Sequence, residues 1–419
     1  MKWLCCQLGA REHYAIPRAL FRIGVLGSLV TDAWVPPSSL IAKCCGHSSK
    51  FRHRFHSELR DARVKAFNSS LVLFEMLAGA RDSRVWPRIL ARNQWFQRKI
   101  VSFLSSQPST PAARRSLVRR RLNSQLVLCS YSYTALEPFR YAKSRGWKTL
   151  LVQIDPGPEE ERIVAEETAR EPQLAADWQA APPEYWASWR EECKLADRIV
   201  VNSEWSRTGL TKAGVIGEKP TVIPLAYEEL GVGRLADPRL QRNYPDHFTA
   251  ERPLRVLFLG LINLRKGVAR LLEAARILRD EPVEFWMVGP VEIANAGAIT
   301  DAGRVKWFGP VTRNQAAGFY RNADLFILPT LSDGFAITQL EAQAHGLPVI
   351  ASKNCGKVVE NAVNGSILDE PSAACIAYAV RDCIASPGRL EKLASASGVR
   401  DKFTIEALAN QLQRLGATL

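Results

Sequence analysis

The stretch Pro329-Thr-Leu-Ser-Asp-Gly-Phe-Ala-Ile-Thr-Gln-Leu-Glu341-Ala-Gln-Ala-His-Gly-Leu-Pro-Val349 decides how this chain is read. An apolar run precedes it, Asp333-Gly334 makes a turn, and a helical register from about Ala336 to His345 ends at Gly346-Leu-Pro348 before the next apolar run. A buried strand, a turn and a helix in that order are one step of an open parallel sheet. In such sheets ligands sit beyond the carboxyl ends of the strands, which places Asp333 and Glu341 as two carboxylates at a candidate site. Asp333 is also placed to cap the helix, a common use of a carboxylate, and Glu341 to face solvent.

Outward from this stretch the same alternation continues. Leu254–Gly260, Glu284–Gly289, Val305–Gly309, Asp324–Pro329 and Pro348–Ser352 read as strands. Apolar residues at Val268, Leu271, Leu272, Ala275 and Leu278 form one helix face, and a second helix is expected near 313–322. The N-terminal half is less regular. Lys2–Leu8 reads as a strand followed by the turn at Gly9 and an amphipathic helix from about Glu12, with further strands at 125–130, 148–155, 197–203 and 220–226. Residues 35–120 give no clear assignment.

A chain of 419 residues, 47% of them hydrophobic, is large enough for two α/β cores. The formal charge of +14 is unevenly spread. Residues 1–140 hold 23 Lys/Arg against 7 Asp/Glu, a balance of +16, whereas residues 155–192 hold 3 against 11, a balance of −8. The nine cysteines show no Cys-x-x-Cys spacing, which fits a reducing, cytoplasmic compartment. No uncharged apolar run reaches the about 18 residues that a membrane-spanning helix needs. The Arg114-Arg115 and Arg119–Arg121 cluster, with Arg52-His-Arg-Phe55, is most simply a solvated helix face; as a binding surface it suits an anionic membrane or an anionic acceptor better than nucleic acid, for which no recognition module is visible.

Two more turns join the candidate site. Gly260-Leu-Ile-Asn-Leu-Arg-Lys-Gly267 places Arg265 and Lys266 just ahead of a helix, where free N–H groups already favour an anion; a solvated pair of surface charges is the plainer account. Gly9–His13 does the same in the first half. Gly334 lets the backbone approach a ligand closely. Several signals carry no weight. Gly231-Val-Gly233 lacks the third glycine of a dinucleotide fingerprint, there is no Gly-x-x-x-x-Gly-Lys-Ser/Thr phosphate loop, and His47, His53 and His56 lack partners at metal-ligand spacing. No Asp-x-Asp pair occurs, so no metal is expected.

In its C-terminal half the chain resembles the retaining glycosyltransferases of family 4, known also as the glycosyl transferases group 1. The resemblance runs from about Leu254 to Leu368 through Gly260, Arg265-Lys-Gly267, Leu271-Leu-Glu-Ala274, Val288-Gly289, Phe308-Gly309, Ala323–Pro329, Asp333-Gly-Phe335, Leu340-Glu-Ala342 and Gly346–Ala351. It implies a GT-B fold, two facing Rossmann-like doubly wound domains with a cleft between them. The domains would be 1–228 and 253–400, joined by a linker at 229–252, with a helix at 401–419 crossing back to the first domain.

The resemblance further implies a nucleotide-diphosphate-sugar donor and no other cofactor. Lys266 and Arg265 would hold the diphosphate with N–H groups near Gly334, Phe335, Ala336 and Ile337. Glu341 would hold the ribose, Asp333 the donor sugar, and the loop at Gly9 would cover both. Asp333, Lys266 and Glu341 are thus the catalytic candidates. A glycan or glycolipid would accept the sugar with retention, at the inner face of a membrane. The chain departs from the family at Asp333, where glutamate is common, at Leu261, where an arginine is common, and at Asp155, which follows a strand where many members carry histidine. Those departures keep a non-catalytic sugar-nucleotide-binding module, or an epimerase, as alternatives.

Overall fold

The computed structural model describes residues 1–39, 53–81, 85–106, 126–215, 217–227, 242–295 and 304–419. His47, Arg52, the arginines at 114–121, Gly231 and Gly233 lie outside them.

Seven strands, β1 (Lys2–Gln7), β2 (Leu26–Thr31), β3 (Val64–Ala66), β4 (Leu126–Tyr131), β5 (Lys148–Gln153), β6 (Arg198–Val201) and β7 (Pro220–Val222), form one sheet in the order β3-β2-β1-β4-β5-β6-β7. Six more, β8 (Leu254–Leu259), β9 (Val283–Val288), β10 (Val305–Gly309), β11 (Leu325–Leu328), β12 (Val349–Ser352) and β13 (Gly365–Leu368), form a second in the order β10-β9-β8-β11-β12-β13. Every pairing is parallel. Each order reverses direction next to the first strand of its sheet, which is the doubly wound arrangement of a Rossmann-like domain.

Adjacent strand residues point to opposite faces, and in central strands such as β4, β11 and β12 both faces are buried, so these strands are largely apolar rather than alternating. In the first domain Cys5, Leu29, Cys129 and Leu150 face a core shared with the helices Ala15–Arg22 and Ile405–Ala417. Their neighbours Cys6, Val30, Leu128 and Leu151 face the other core, with Phe96, Phe139 and Trp189. Leu408, Leu412 and Leu415 of the C-terminal helix are buried in the first domain beside Trp3 and Tyr14. The cysteines described are free.

β2 and β3 have no counterpart among the strands expected from the apolar runs. Gly27 and Ser28 interrupt β2, and β3 has three residues. The helix expected from Glu12 begins instead at Ala15. Ahead of it Glu12, His13 and Tyr14 take left-handed backbone angles, with φ of 49°, 50° and 61°. Such angles cost an ordinary residue roughly 1–2 kcal/mol each, so a right-handed helix is the natural expectation. Here the turn is held by its surroundings: Gln7 donates to the Arg11 carbonyl at 2.9 Å, Tyr131 donates to the Glu12 carboxylate at 2.8 Å, and Tyr14 packs edge-on against Trp34.

Among the described residues no helix is long and apolar enough to cross a membrane.

Candidate active site at the domain interface

The loops after β8 and β11 meet at one point. After β8, Asn263 accepts the Lys266 N–H at 3.2 Å and shapes the tight turn Leu264–Lys266. Gly267 then takes φ +73°, and a Cβ there would stand 2.0 Å from the Pro329 carbonyl oxygen. No other residue type fits both demands. The turn aims Lys266 and Arg265 across the sheet at Asp333: Lys266 Nζ donates to Asp333 Oδ2, and Arg265 Nη1 lies 3.3 Å from the same oxygen.

Asp333 does not cap the following helix, Thr338–Ala344, whose N-cap is Ile337. Its Oδ1 accepts the Phe335 N–H at 3.1 Å in a local turn. Asp333 is buried, which alone would raise its pKa, but Lys266 and Arg265 outweigh burial and hold the carboxyl below its usual range. Ala336 follows with φ +61°, bending the chain into the helix.

Gly334 has a different reason from the one its sequence suggests. A Cβ on it would lie 2.0 Å from the Ile154 carbonyl and 2.8 Å from Asn202 Nδ2, both of the first domain. Its own carbonyl accepts from Ser203 Oγ at 2.5 Å and Ser206 Oγ at 3.3 Å. The glycine admits the opposite domain's backbone at this point. Phe335 is buried against Phe403 and Gly356.

Glu341 sits one turn into the short helix, half-buried. Tyr320, itself buried and stacked on His345, donates to Glu341 Oε2 at 2.8 Å. That bond fixes the carboxylate's direction and leaves Oε1 with no partner among the described residues. Burial, with Glu341 beside it, pushes the Tyr320 hydroxyl well above its ordinary pKa, so it remains a donor.

From the first domain, Gly9 takes φ +85° and donates its N–H to Asp32 Oδ1 at 2.9 Å. Asp32 is fully buried between Arg54 at 2.9 Å and Arg92 at 3.0 Å. Further along the same loop Arg313 of the second domain donates to His13 Nε2 at 2.6 Å. Burial and then the Arg313 cation lower the His13 pKa to about 4, so this ring is neutral and accepts. Glu160, on the helix Pro158–Arg170, reaches in from the first domain: Ser332 Oγ donates to it at 2.9 Å and Arg265 lies 3.7 Å away. Asp155 closes this side, accepting from Tyr133 OH at 2.6 Å, Gln153 Nε2 at 2.9 Å and the Gly157 N–H at 2.9 Å.

The structure therefore brings Arg265, Lys266, Asp333, Gly334 and the first-domain residues Glu160 and Asp155 into one cluster, with Glu341 on the adjoining helix. Tyr320 and Glu160 are functional candidates that the sequence does not single out, and His13 is marked there only as the end of the loop from Gly9. No local pattern marks their contacts, because each acts on a residue from a distant part of the chain. Leu261, where an arginine is common in the family resembled, is exposed. Among the described residues no group of His, Cys, Asp and Glu could hold a metal ion.

The family profile described as glycosyl transferases group 1 matches residues 253–386, the segment that carries the Arg265–Lys266 and Asp333–Glu341 loops. Over those residues the second domain is similar to the glycosyl transferases group 1. Curated relatives match part of the chain as well. A D-inositol 3-phosphate glycosyltransferase of Rhodococcus jostii is 34% identical over 176 residues, 38% of each chain. The amylovoran biosynthesis glycosyltransferase AmsK of Erwinia amylovora is 28% identical over 165 residues, 36% of this chain and 40% of the relative. The matched part thus spans about 40% of that relative's length.

Solved structures extend the likeness to the whole fold. Sucrose-phosphate synthase from Thermosynechococcus elongatus superposes with a TM-score of 0.62 at 16% identity, covering 100% of this chain and 99% of that one. Anabaena HepE, solved in complex with UDP, gives 0.57 at 16% identity over 100% of both chains. The two facing Rossmann-like domains together make a GT-B fold.

Proposed function

We propose that the chain transfers a sugar from a nucleotide-diphosphate donor to a hydroxyl of a glycan or glycolipid, with retention of anomeric configuration and with protein cations in place of a bound metal. One observation carries this reading: Lys266 and Arg265 converge from the loop after β8 on the turn after β11, beside a glutamate whose carboxylate is already oriented. Two cations on a sheet's carboxyl edge suit a diphosphate, and Glu341 Oε1 suits a pair of ribose hydroxyls. Asp333 lies against the cations and would contact the donor sugar attached to that diphosphate.

Charge grows on the leaving diphosphate as the glycosidic bond breaks, so the cations stabilise the transition state more than the bound donor. Retention in a single step requires the acceptor hydroxyl to attack from the leaving-group side, where a departing phosphate oxygen can take its proton. The contacts of Gly334 and His13 across the interface belong to a closed form, which would keep water from the donor. The UDP complex of the HepE neighbour supports a nucleotide sugar as the ligand class.

We place this activity in the cytoplasm, with the basic first domain against an anionic membrane; the +16 balance of residues 1–140 supports that placement. Sedimentation with vesicles containing phosphatidylglycerol, compared with neutral vesicles, tests it. The activity is tested by a thermal-shift screen of UDP-, GDP- and ADP-sugars followed by transfer assays. A shift with turnover only when an acceptor is present is the expected result. Binding without turnover would make the chain a binding module, and conversion of the donor without any acceptor would make it an epimerase.

A further inference from the structure

Beside Arg265 a cavity of about 1090 Å³ opens between the two domains, slightly larger than the usual small-molecule site of roughly 300–1,000 Å³. Its first-domain wall is aromatic. Tyr133 stacks on Tyr185 at 4.7 Å and 18°, and Tyr185 meets Trp86 at 5.0 Å and Trp186 at 5.1 Å. The buried Glu192 holds the loop that carries Tyr133, accepting the N–H groups of Tyr133 at 2.7 Å, Ala135 at 2.8 Å and Leu136 at 3.1 Å. The same cavity is acidic: Asp155, Glu160, Glu161, Asp177 and Glu292 line it, and among the described residues Arg265 is the one basic side chain in its lining. Most of this wall belongs to the segment whose charge balance is −8. Asp155 Oδ1 is fully engaged by Tyr133, Gln153 and Gly157, while Oδ2 has no partner among the described residues.

We propose that this cavity binds the acceptor as an uncharged sugar ring and discriminates against phosphorylated ones, an inference that rests on the donor reading above. The ring faces of Trp86 and Tyr185 can cover the C–H face of a pyranose, while carboxylate oxygens such as Asp155 Oδ2 accept its hydroxyls. A phosphate monoester would bring further negative charge into a recess already lined by carboxylates, a repulsive element that sets specificity. Tyr133 and Tyr185 cover one face of each other, so the rings form a wall and not a cage closed around a cation. An acceptor selected in this way differs from D-inositol 3-phosphate, for which the Rhodococcus jostii relative is named.

Saturation-transfer NMR on the full chain with UDP present tests this, using methyl glucoside, methyl galactoside and methyl mannoside against glucose 6-phosphate, inositol 3-phosphate and tetramethylammonium. At least one neutral glycoside is expected to bind about tenfold or more tightly than either phosphate. Trp86→Ala and Tyr185→Ala are each expected to weaken that glycoside about tenfold. The thermal shift caused by the nucleotide sugar should stay unchanged in both variants. Tighter binding of a phosphate or of tetramethylammonium, no binding of any neutral glycoside, or glycoside binding indifferent to both substitutions would overturn the inference. A nucleotide-sugar shift that persists in that case leaves the donor reading standing, and its absence in the wild type sinks that reading first.

Discussion

The two walls of the interdomain cleft carry opposite chemistry within a few ångströms of each other. On the second domain, Arg265 and Lys266 face inward from one turn; on the first, Asp155, Glu160 and Glu161 face inward from the segment 155–161. Arg265 belongs to both, lying 3.3 Å from Asp333 and 3.7 Å from Glu160. A cleft made of cations alone would hold any polyanion, and one made of carboxylates alone would hold none. On the reading proposed above, setting them side by side would let the cleft accept a diphosphate at one end and refuse phosphate at the other, with Arg265 at the boundary between donor and acceptor.

Removing the cationic wall is expected to have the largest effect. Lys266→Ala should lower kcat/KM at least about a hundredfold, or about 3 kcal/mol of transition-state stabilisation, while circular dichroism shows a folded chain. Because Lys266 pairs with a buried Asp333, part of any stability change will come from the carboxylate left behind. Glu341→Ala should likewise abolish transfer in the folded chain, through the donor's ribose. Near-normal turnover by either purified variant would break the assignment of this wall to the donor.

Forcing the walls apart comes next. Gly334→Ala places a methyl group 2.0 Å from the Ile154 carbonyl, and neither backbone can yield without moving a domain. The variant is expected to stay folded, because the contact joins two separately cored units, yet to turn over about tenfold more slowly and to scatter X-rays in solution as a more open particle. Unchanged scattering and rate would mean that the closed contact is irrelevant to function.

These tests touch residues that the sequence exposes to different degrees. Gly260, Arg265, Lys266, Gly267, Asp333, Gly334 and Glu341 are legible because each sits at a fixed offset from an apolar strand, and a parallel sheet repeats that offset. The strands β8 to β12 are legible for the same reason. β2 and β3 are not, since Gly27, Ser28 and a three-residue length erase the apolar run that marks a buried strand. The left-handed turn at Glu12–Tyr14 reads as helix because local preference favours it and only the tertiary bonds of Gln7, Tyr131 and Trp34 override it. Gly334 is legible as a required glycine, but the partner that requires it is Ile154, on the other domain. Sequence spacing identifies a close approach without saying what approaches.

A smaller effect separates orientation from charge. Tyr320→Phe removes one hydrogen bond to Glu341 and keeps the ring stacked on His345. The loss is worth about 1 kcal/mol, so donor affinity by thermal shift or calorimetry should fall about fivefold with kcat little changed. A fall in kcat equal to that of Lys266→Ala would instead make Tyr320 part of the reacting centre.

The finest test lies at the seam. Burial pushes the Glu160 carboxyl up to about 7; Arg265 opposes the shift, and Asp155 and Asp333 add to it. In the unfolded chain the same group ionises at about 4.3. Between those two values the folded chain holds a proton that the unfolded chain has released, so this group's contribution to stability falls as pH rises from about 4.3 to about 7 and is flat outside that window. Glu192, likewise raised to about 7 by burial, contributes in the same direction and remains as an internal reference. Glu160→Gln should therefore reduce, without abolishing, the drop in urea midpoint between about pH 5 and about pH 8. An undiminished drop would show that Glu160 is ionised across the whole range, and the acidic wall would then reach Arg265 with its full charge even at the acid end.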